Sequence, residues 1–455
     1  MCGITGIISK RGKLSTQAKA TVAKMNHALT HRGPDSAGFY SDEIAALAMR
    51  RLSIIDLAGG EQPVFNETKD LLVFQNGEIY NYKELRTKLE ESGNRFSTQS
   101  DTEVLVHLYE EHGEHMLAYL HGMFAFCIYD KRREVFLLAR DRYGEKPLYY
   151  WENNEELAFS SEIMSLLEHK GIGRSLNLKA LPYYLRTSLT PEPLTLFKEV
   201  KTLQAGHLMK IEKGQSIIKP YFSIDYRPDN NISNLQDAVE QIKPLLYKAV
   251  EKQTVSDVPI GAFLSGGIDS STMVALLQQQ SSKPIKTFNV RFEDQSYDES
   301  PIARAVAAYC GTDHQEVVIP NQEFSENVFW EIIEHMGQPF RDSSAIPSYY
   351  VSQAIGQHVK VAISGDGGDE QFGGYDLFQW YTRILRLKGL NPLARKLMLD
   401  TANTLSKVGS LSGSSKLRQA RRALTTAQLE DKEIAIALNE MFDQNEIHEL
   451  LTDKN

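Results

Sequence analysis

Pro259-Ile260-Gly261-Ala262-Phe263-Leu264-Ser265-Gly266-Gly267-Ile268-Asp269-Ser270 reads as a short apolar strand, a glycine turn and the start of a helix that runs to Gln280. A strand over Ile285 to Phe292 and a helix over Glu299 to Cys310 follow. His358-Val359-Lys360-Val361-Ala362-Ile363 then runs into Ser364-Gly365-Asp366-Gly367-Gly368-Asp369-Glu370, a second strand with a glycine turn. Strand, glycine turn and helix in repetition predict an open parallel sheet, with ligands at the carboxyl ends of its strands. Ser265, Gly266, Gly267 and Ser270 are small, and backbone N–H groups at a helix start favour phosphate. The stretch lacks the Gly-Lys ending of a Walker loop. Asp269 cannot hold an anion directly, but with Asp369 it can hold Mg²⁺, which neutralises phosphates.

Upstream the pattern changes. Residues 219–233 contain Pro, Asp and Asn with no apolar period and read as a linker, followed by a helical pattern over Asn234 to Gln253. The expected division is residues 1–218, the linker 219–233, and residues 234–455. Within the first part, Leu71-Leu72-Val73-Phe74 reads as a strand. Gly122 to Tyr129 and Glu134 to Ala139 flank a polar Asp130-Lys131-Arg132-Arg133 turn and read as a hairpin. Gln17 to Leu29 and Asp101 to His112 are helical patterns, the second with Asp101 as a candidate cap. Strands with a few helices and no β-α-β alternation predict an α+β domain. The tail, Arg386 to Asn455, is charged and helical.

The 455 residues suggest two or three domains, and 42% hydrophobic with 24% charged residues is an ordinary globular composition. A net charge of −9 argues against sequence-independent nucleic-acid binding. No apolar run approaches the ~20 residues that span a bilayer. The N-terminus lacks the basic start and apolar core of a signal peptide, so the cytoplasm is the expected location. Cys2, Cys127 and Cys310 form neither a disulfide framework nor a zinc pattern.

Cys2 stands at an unusual place. Removal of Met1 would free its α-amine, which can take the thiol proton and produce a thiolate nucleophile. Asn76-Gly77, after an apolar strand, can supply an amide and a backbone N–H to an oxyanion, although Asn-Gly is also a common hairpin turn. Arg51 can clamp a carboxylate, and Glu78 and Asp101 can accept from an ammonium, so that together they would hold an α-amino acid. Each, taken singly, is also an ordinary surface charge or cap. Cys127, Cys310 and His31 read as packing or structural residues.

The Met1-Cys2-Gly3-Ile4 start, His31-Arg32-Gly33-Pro34-Asp35-Ser36-Ala37-Gly38, Arg51-Leu52-Ser53-Ile54-Ile55-Asp56, Asn76-Gly77-Glu78-Ile79-Tyr80-Asn81, Ser100-Asp101-Thr102-Glu103 and the two glycine turns stand in one order over nearly the whole chain. In that order the sequence resembles the glutamine-hydrolysing asparagine synthetases, the class II amidotransferases. The resemblance implies an α+β N-terminal-nucleophile (Ntn) glutaminase domain of stacked antiparallel sheets with helices. It joins this to an α/β ATP-pyrophosphatase domain with a parallel sheet. It implies Cys2 as nucleophile, Asn76 and Gly77 as oxyanion hole, and Arg51, Ile54, Ile55, Asn76, Glu78 and Asp101 as glutamine binders. For ATP it implies Leu264, Ser265, Gly266, Gly267, Asp269, Ser270, Val290, Ser364 and Gly365, with Asp269 and Asp369 as Mg²⁺ ligands.

The implied reaction passes from a Cys2 thioester, through channelled ammonia, to an acyl-adenylate, usually of aspartate. It yields asparagine, glutamate, AMP and diphosphate. The substrates are small molecules: glutamine, ATP, and aspartate or another carboxylate. Neither nucleic acid nor a membrane is expected as partner, and a homodimer is one compatible assembly.

Two departures from the family pattern stand out. A Lys-Val-Asp-Arg-like segment beyond Gly389 is absent, so the second half is expected to be cut short. Asp366-Gly367 replaces the Glu-Ala of many members and resembles relatives that amidate sugar acids. The other readings are an amidotransferase for a sugar-acid carboxylate in surface polysaccharide synthesis, and a glutaminase with an inactive second half. Tyr297-Asp298-Glu299-Ser300 and Arg341-Asp342-Ser343-Ser344 are the segments expected to bear on the acceptor.

Overall fold

The computed structural model describes every residue except 228–231, 293–297, 320–324, 343, 406–414, 443 and 453–455. Pro228 to Asn231 of the expected linker, and Tyr297 and Ser343 of the expected acceptor segments, therefore lie outside the described residues. So do parts of the expected helical tail. The chain divides into two compact units, Met1–Leu178 with Pro191–Ser364, and Lys179–Thr190 with Gly365–Asn455.

The first unit opens with twelve strands: β1 (Gly3–Ser9), β2 (Ser36–Ser41), β3 (Ala45–Arg51), β4 (Val64–Phe65), β5 (Leu71–Ile79), β6 (Gly122–Asp130), β7 (Val135–Arg140), β8 (Tyr149–Glu152), β9 (Glu156–Ser160), β10 (Lys201–Thr202), β11 (His207–Glu212) and β12 (Gln215–Pro220). They form two sheets of six, in the orders β10-β8-β9-β1-β3-β2 and β12-β11-β7-β6-β5-β4, and every strand pairing is antiparallel.

Alternation along the strands builds the layers. Ile4 and Ile8 of β1, Leu47 and Met49 of β3, Leu72 and Phe74 of β5, and Ala125 and Cys127 of β6 share one core between the sheets. Ile7, Ala46, Ala48 and Ala158 face outward and pack against Ala18, Val22 and Met25 of the helix Ala18–Ala28. Val73, Ile79, Phe126 and Ile128 leave the other sheet on its far side and pack against Leu85, Leu89, Val104 and Leu108 of two helices, Tyr82–Glu91 and Glu103–His112. The result is helix, sheet, sheet, helix, the stacked α+β arrangement expected from sequence.

Three local expectations need correction. The helix Glu103–His112 has Thr102, not Asp101, at its N-cap. Asp101 instead accepts the Ile79 N–H at 2.8 Å, so a buried sheet end took the carboxylate that the sequence offered to the helix. β12 carries the sheet through Pro220, so Lys219 and Pro220 are strand rather than linker. Tyr221 follows with its hydroxyl donating to the Arg140 carbonyl at 2.7 Å. The third concerns the parallel sheet.

That sheet contains β13 (Ile260–Phe263), β14 (Lys286–Phe292), β15 (Asp313–Ile319) and β16 (Val361–Ile363) in the order β15-β14-β13-β16, all parallel. β15 was not foreseen, because Asp313-His314-Gln315-Glu316 has the polarity of a loop; it survives as an edge strand. The strand order reverses at β13, and in open sheets such reversals place ligand crevices beyond the strand ends. The preceding helix, Leu235–Gln253, is capped by Asn234, whose side chain accepts the Asp237 N–H at 3.0 Å.

The second unit is helical among its described residues. Ile384, Ala427 and Ile434 form its core. The Met441 N–H donates to the Arg186 carbonyl at 2.8 Å, and Arg186 also pairs with Glu440, which ties the segment Lys179–Thr190 to the tail. No described helix is long and apolar enough to cross a membrane.

Candidate functional site

The strand alternation that builds the inner core also builds a pocket at its end. Arg51 continues the inward row Ala45, Leu47, Met49 of β3, and Cys2 extends that of Ile4 and Ile8. β1 pairs with β3 at Gly3↔Arg50, so Cys2 and Arg51 are the next positions along. On the facing sheet, Asn76 and Glu78 continue the inward row Leu72, Phe74 of β5. Cys2, Arg51, Asn76 and Glu78, with Ile54, Ile55, Gly77 and Asp101, line one solvent-open pocket.

The Cys2 thiol is tied to the loop after β3: it accepts the Leu52 N–H at 3.4 Å and reaches the Leu52 carbonyl at 3.7 Å. Burial pushes its titration up, partly offset by the Leu52 contact and the neighbouring amino terminus. Burial pulls that terminal amine, here of Met1, down to about 6, with Arg32 and Lys146 acting in the same direction. An amine of this kind is neutral at neutral pH and able to accept a proton. Arg32 fixes the nucleophile's backbone, its Nε donating to the Cys2 carbonyl at 2.9 Å and its Nη1 to Glu162 at 3.0 Å. His31 bonds the same carboxylate at 2.9 Å, which agrees with a structural part for His31.

Asn76 is fully buried, yet neither atom of its side-chain amide has a hydrogen-bond partner among the described residues. Buried amides are rarely left so, and this one lines the pocket. Gly77 beside it has φ of +141°. Arg51 is pinned by its Nη2, which donates to the carbonyls of Ile55 at 2.9 Å and Asp56 at 2.7 Å. Asp101 takes bonds from the Ile79 N–H and from Gln75 Nε2 at 3.3 Å, yet burial still lifts it to about 6. Glu78 is lifted to about 7, by burial first and then by Asp101. Two carboxylates raised together in one pocket are suited to receive a cation. Cys127, fully buried between the sheets, is a packing residue, and Cys310 ends the helix Ser300–Cys310.

The sequence reading missed Gln62, Met123 and Lys146, which line the same pocket, and Gln75, which holds Asp101. Met123 had a signal in the inward parity of β6. Lys146 lies in a loop with no periodicity, and nothing short of the structure brings it to Cys2.

At the carboxyl end of β13, Gly266 adopts φ of +87° and Gly267 caps the helix Ile268–Gln280. A β-carbon on Gly266 would meet the Ala303 nitrogen at 3.1 Å. Ser265 and Ser270 share a hydroxyl bond of 2.9 Å, and the Gly267 N–H donates to Ser265 Oγ at 3.2 Å. Leu264 is buried, with its carbonyl accepting from Asn289 Nδ2 at 2.9 Å. Val290 is the next residue on β14, and Ser364 directly follows β16, the neighbour of β13. Asp269 stands in the first turn of its helix. Gly365 and Asp369 belong to the second unit, where Asp369 opens the short helix Gly368–Phe372.

Residues 1–222 match the glutamine amidotransferase domain family, and residues 241–452 match the asparagine synthase family. Glutamine-hydrolysing asparagine synthetase 1 of Bacillus subtilis is 38% identical over 405 residues, covering 88% of this chain and 63% of that protein. Asparagine synthetase 3 of the same organism is 31% identical, covering 83% and 64%. The chain thus spans under two thirds of the length of these two relatives. Putative glutamine-hydrolysing asparagine synthetase 2 of Methanocaldococcus jannaschii is 35% identical over 454 residues, covering 90% of this chain and 85% of that protein. With both halves matched in order and most of a relative's length covered, the chain belongs to the glutamine-hydrolysing asparagine synthetase family.

Proposed function

We propose that the protein makes an amide from a carboxylate with glutamine as nitrogen donor and ATP as activator, and that aspartate is the acceptor and asparagine the product. The observation that carries the first half is the buried, unpartnered Asn76 amide in the pocket of Cys2.

In this reading Met1 is removed. The Cys2 amine takes the thiol proton, and Sγ attacks the side-chain amide carbon of glutamine. Asn76 and the Gly77 N–H receive the oxyanion, where donors fixed in advance act most strongly. The amine returns its proton to the departing ammonia, and water releases glutamate from the thioester. Arg51 holds the substrate carboxylate, with Ile54 and Ile55 lending backbone groups, and Glu78 and Asp101 hold the ammonium. The cytoplasm, where thiols stay reduced, suits such a nucleophile.

In the second half, ATP adenylates the acceptor carboxylate and releases diphosphate, and ammonia then displaces AMP. A bare carboxylate does not react with ammonia, whereas an adenylate does and must be kept from water. Leu264, Ser265, Gly266, Gly267, Ser270, Val290 and Ser364 are proposed to hold ATP. Asp269 offers carboxylate oxygens, the donors that Mg²⁺ takes, and would hold it. The ion would neutralise phosphate charge.

The test is glutamate release from glutamine by the full chain and by its Cys2→Ala variant. Release by the wild type alone, with the variant still making amide from added ammonium and ATP, supports the reading. Equal release by both contradicts it.

A further inference from the structure

Lys146 is a buried lysine: burial pulls its titration down from the ordinary lysine range, and Glu145 and Glu78 act the other way. Its residue is 6% exposed, and its Nζ has one hydrogen bond, to Met1 Sδ at 3.2 Å. No ion pair reaches it among the described residues, although it lines the pocket with Cys2 and Glu78. A charge so placed costs folding free energy and calls for a functional reason.

The loop that carries it is held by a buried acid. Asp141, five residues before it in the loop, is itself fully buried. Its Oδ1 accepts the N–H groups of Tyr143 at 3.1 Å and Glu145 at 2.9 Å; its Oδ2 accepts those of Phe124 at 3.2 Å and Lys146 at 2.9 Å. Both oxygens are thus spent on backbone. Arg140 Nε closes the loop on the Lys146 carbonyl at 2.9 Å. This frame fixes the backbone and sends the ammonium into the pocket rather than to solvent. The charged groups around it are Arg32, Glu78, Asp141 and Glu145, and those acting on the terminal amine are Cys2, Arg32, Lys146 and Asp35.

We propose that Lys146 is a positioning residue of the glutaminase half: its ammonium adds to burial and Arg32 in keeping the freed Cys2 amine neutral and able to accept the thiol proton. Removal of Met1 takes away the sulfur that Lys146 touches and leaves the ammonium in one pocket with the new amine. A like charge disfavours protonation of that amine, and the same charge favours the thiolate that the proton transfer creates. Transfer moves one proton from Sγ to nitrogen and needs no other reactant. The proposal rests on the glutamine-hydrolysing reading, and its test separates the two.

The experiment uses the full chain, with loss of Met1 checked by mass spectrometry. Wild type, Lys146→Met and Lys146→Arg are compared across pH in two readouts. One is glutaminase kcat/KM without ATP; the other is the alkylation rate of Cys2 by iodoacetamide, read on the Cys2 peptide, which needs no turnover. In Lys146→Met the acid limb of both profiles is expected to move up by about one pH unit, and Lys146→Arg to restore it. Limbs that coincide in wild type and Lys146→Met overturn the proposal, whatever happens to the plateau rate. An alkylation shift in a chain that never hydrolyses glutamine upholds the charge effect and contradicts the glutaminase reading instead. If Lys146→Met does not fold, Lys146→Gln carries the same comparison.

Discussion

The α-carbon of Gly77 lies against the carbonyl of Met123 so closely that a β-carbon there would stand 2.0 Å from that oxygen. The two residues lie one register step apart on the neighbouring strands β5 and β6, which pair at Gly77↔Phe124 and Glu78↔Met123. Gly77→Ala must therefore part the strands or twist β5, and either displaces Asn76. The expected cost is roughly 1–3 kcal/mol of stability, with glutaminase activity near background. Denaturant unfolding and glutamate release measure both.

Asn76→Ala separates catalysis from folding. The amide makes no hydrogen bond among the described residues, so its loss removes none and relieves a buried polar group. Thermal stability is expected to hold or rise, while kcat for glutamine hydrolysis falls about 10²–10³-fold. A large fall in Tm would mean that the amide is structural.

The two carboxylates give a pH signature. Burial raises Asp101 to about 6 and Glu78 to about 7, so the empty pocket favours their neutral forms. Their contribution to stability is present below the ordinary carboxylate range and is lost as pH rises through these values. Glutamine binding has the opposite sign, since its ammonium needs them ionised. KM for glutamine is expected to rise as pH falls below about 7, by about tenfold per pH unit down to about 6 and by up to about a hundredfold per unit below that, where both must lose a proton. Asp101→Asn should flatten the lower part of that rise, which steady-state kinetics over the same pH range would show.

Asp269→Asn should divide the two halves. Glutamate release without ATP is expected to stay within about twofold of wild type, because Asp269 lies on the helix after β13, outside the Cys2 pocket. AMP formation should fall by at least about tenfold if the carboxylate holds Mg²⁺. Parallel loss of both activities would refute the assignment.

The sequence carried what depends on periodicity. The apolar run Leu71-Leu72-Val73-Phe74 exposed β5, and the glycine turn at Ser265 to Asp269 exposed the parallel sheet. Cys2, Arg51, Asn76, Glu78 and Asp101 were legible as chemistry, and the structure brings them to one pocket. What failed was what tertiary contacts decide. Asp101 looked like a cap because local sequence offers it a helix; the buried Ile79 N–H competed for it and won. Lys146 was invisible because its place comes from Asp141 gathering four backbone N–H groups, a pattern with no fixed spacing. β15 was hidden by polar residues that an edge strand tolerates.

The most direct test of the central claim is a single product balance. Purified chain is supplied with glutamine, aspartate and Mg·ATP, and glutamate, asparagine and AMP are followed together. Asparagine and AMP rising in equal amounts, with glutamate at least equal to both, is the expected result. Glutamate accumulating with neither asparagine nor AMP would contradict the synthetase reading and leave a glutaminase alone.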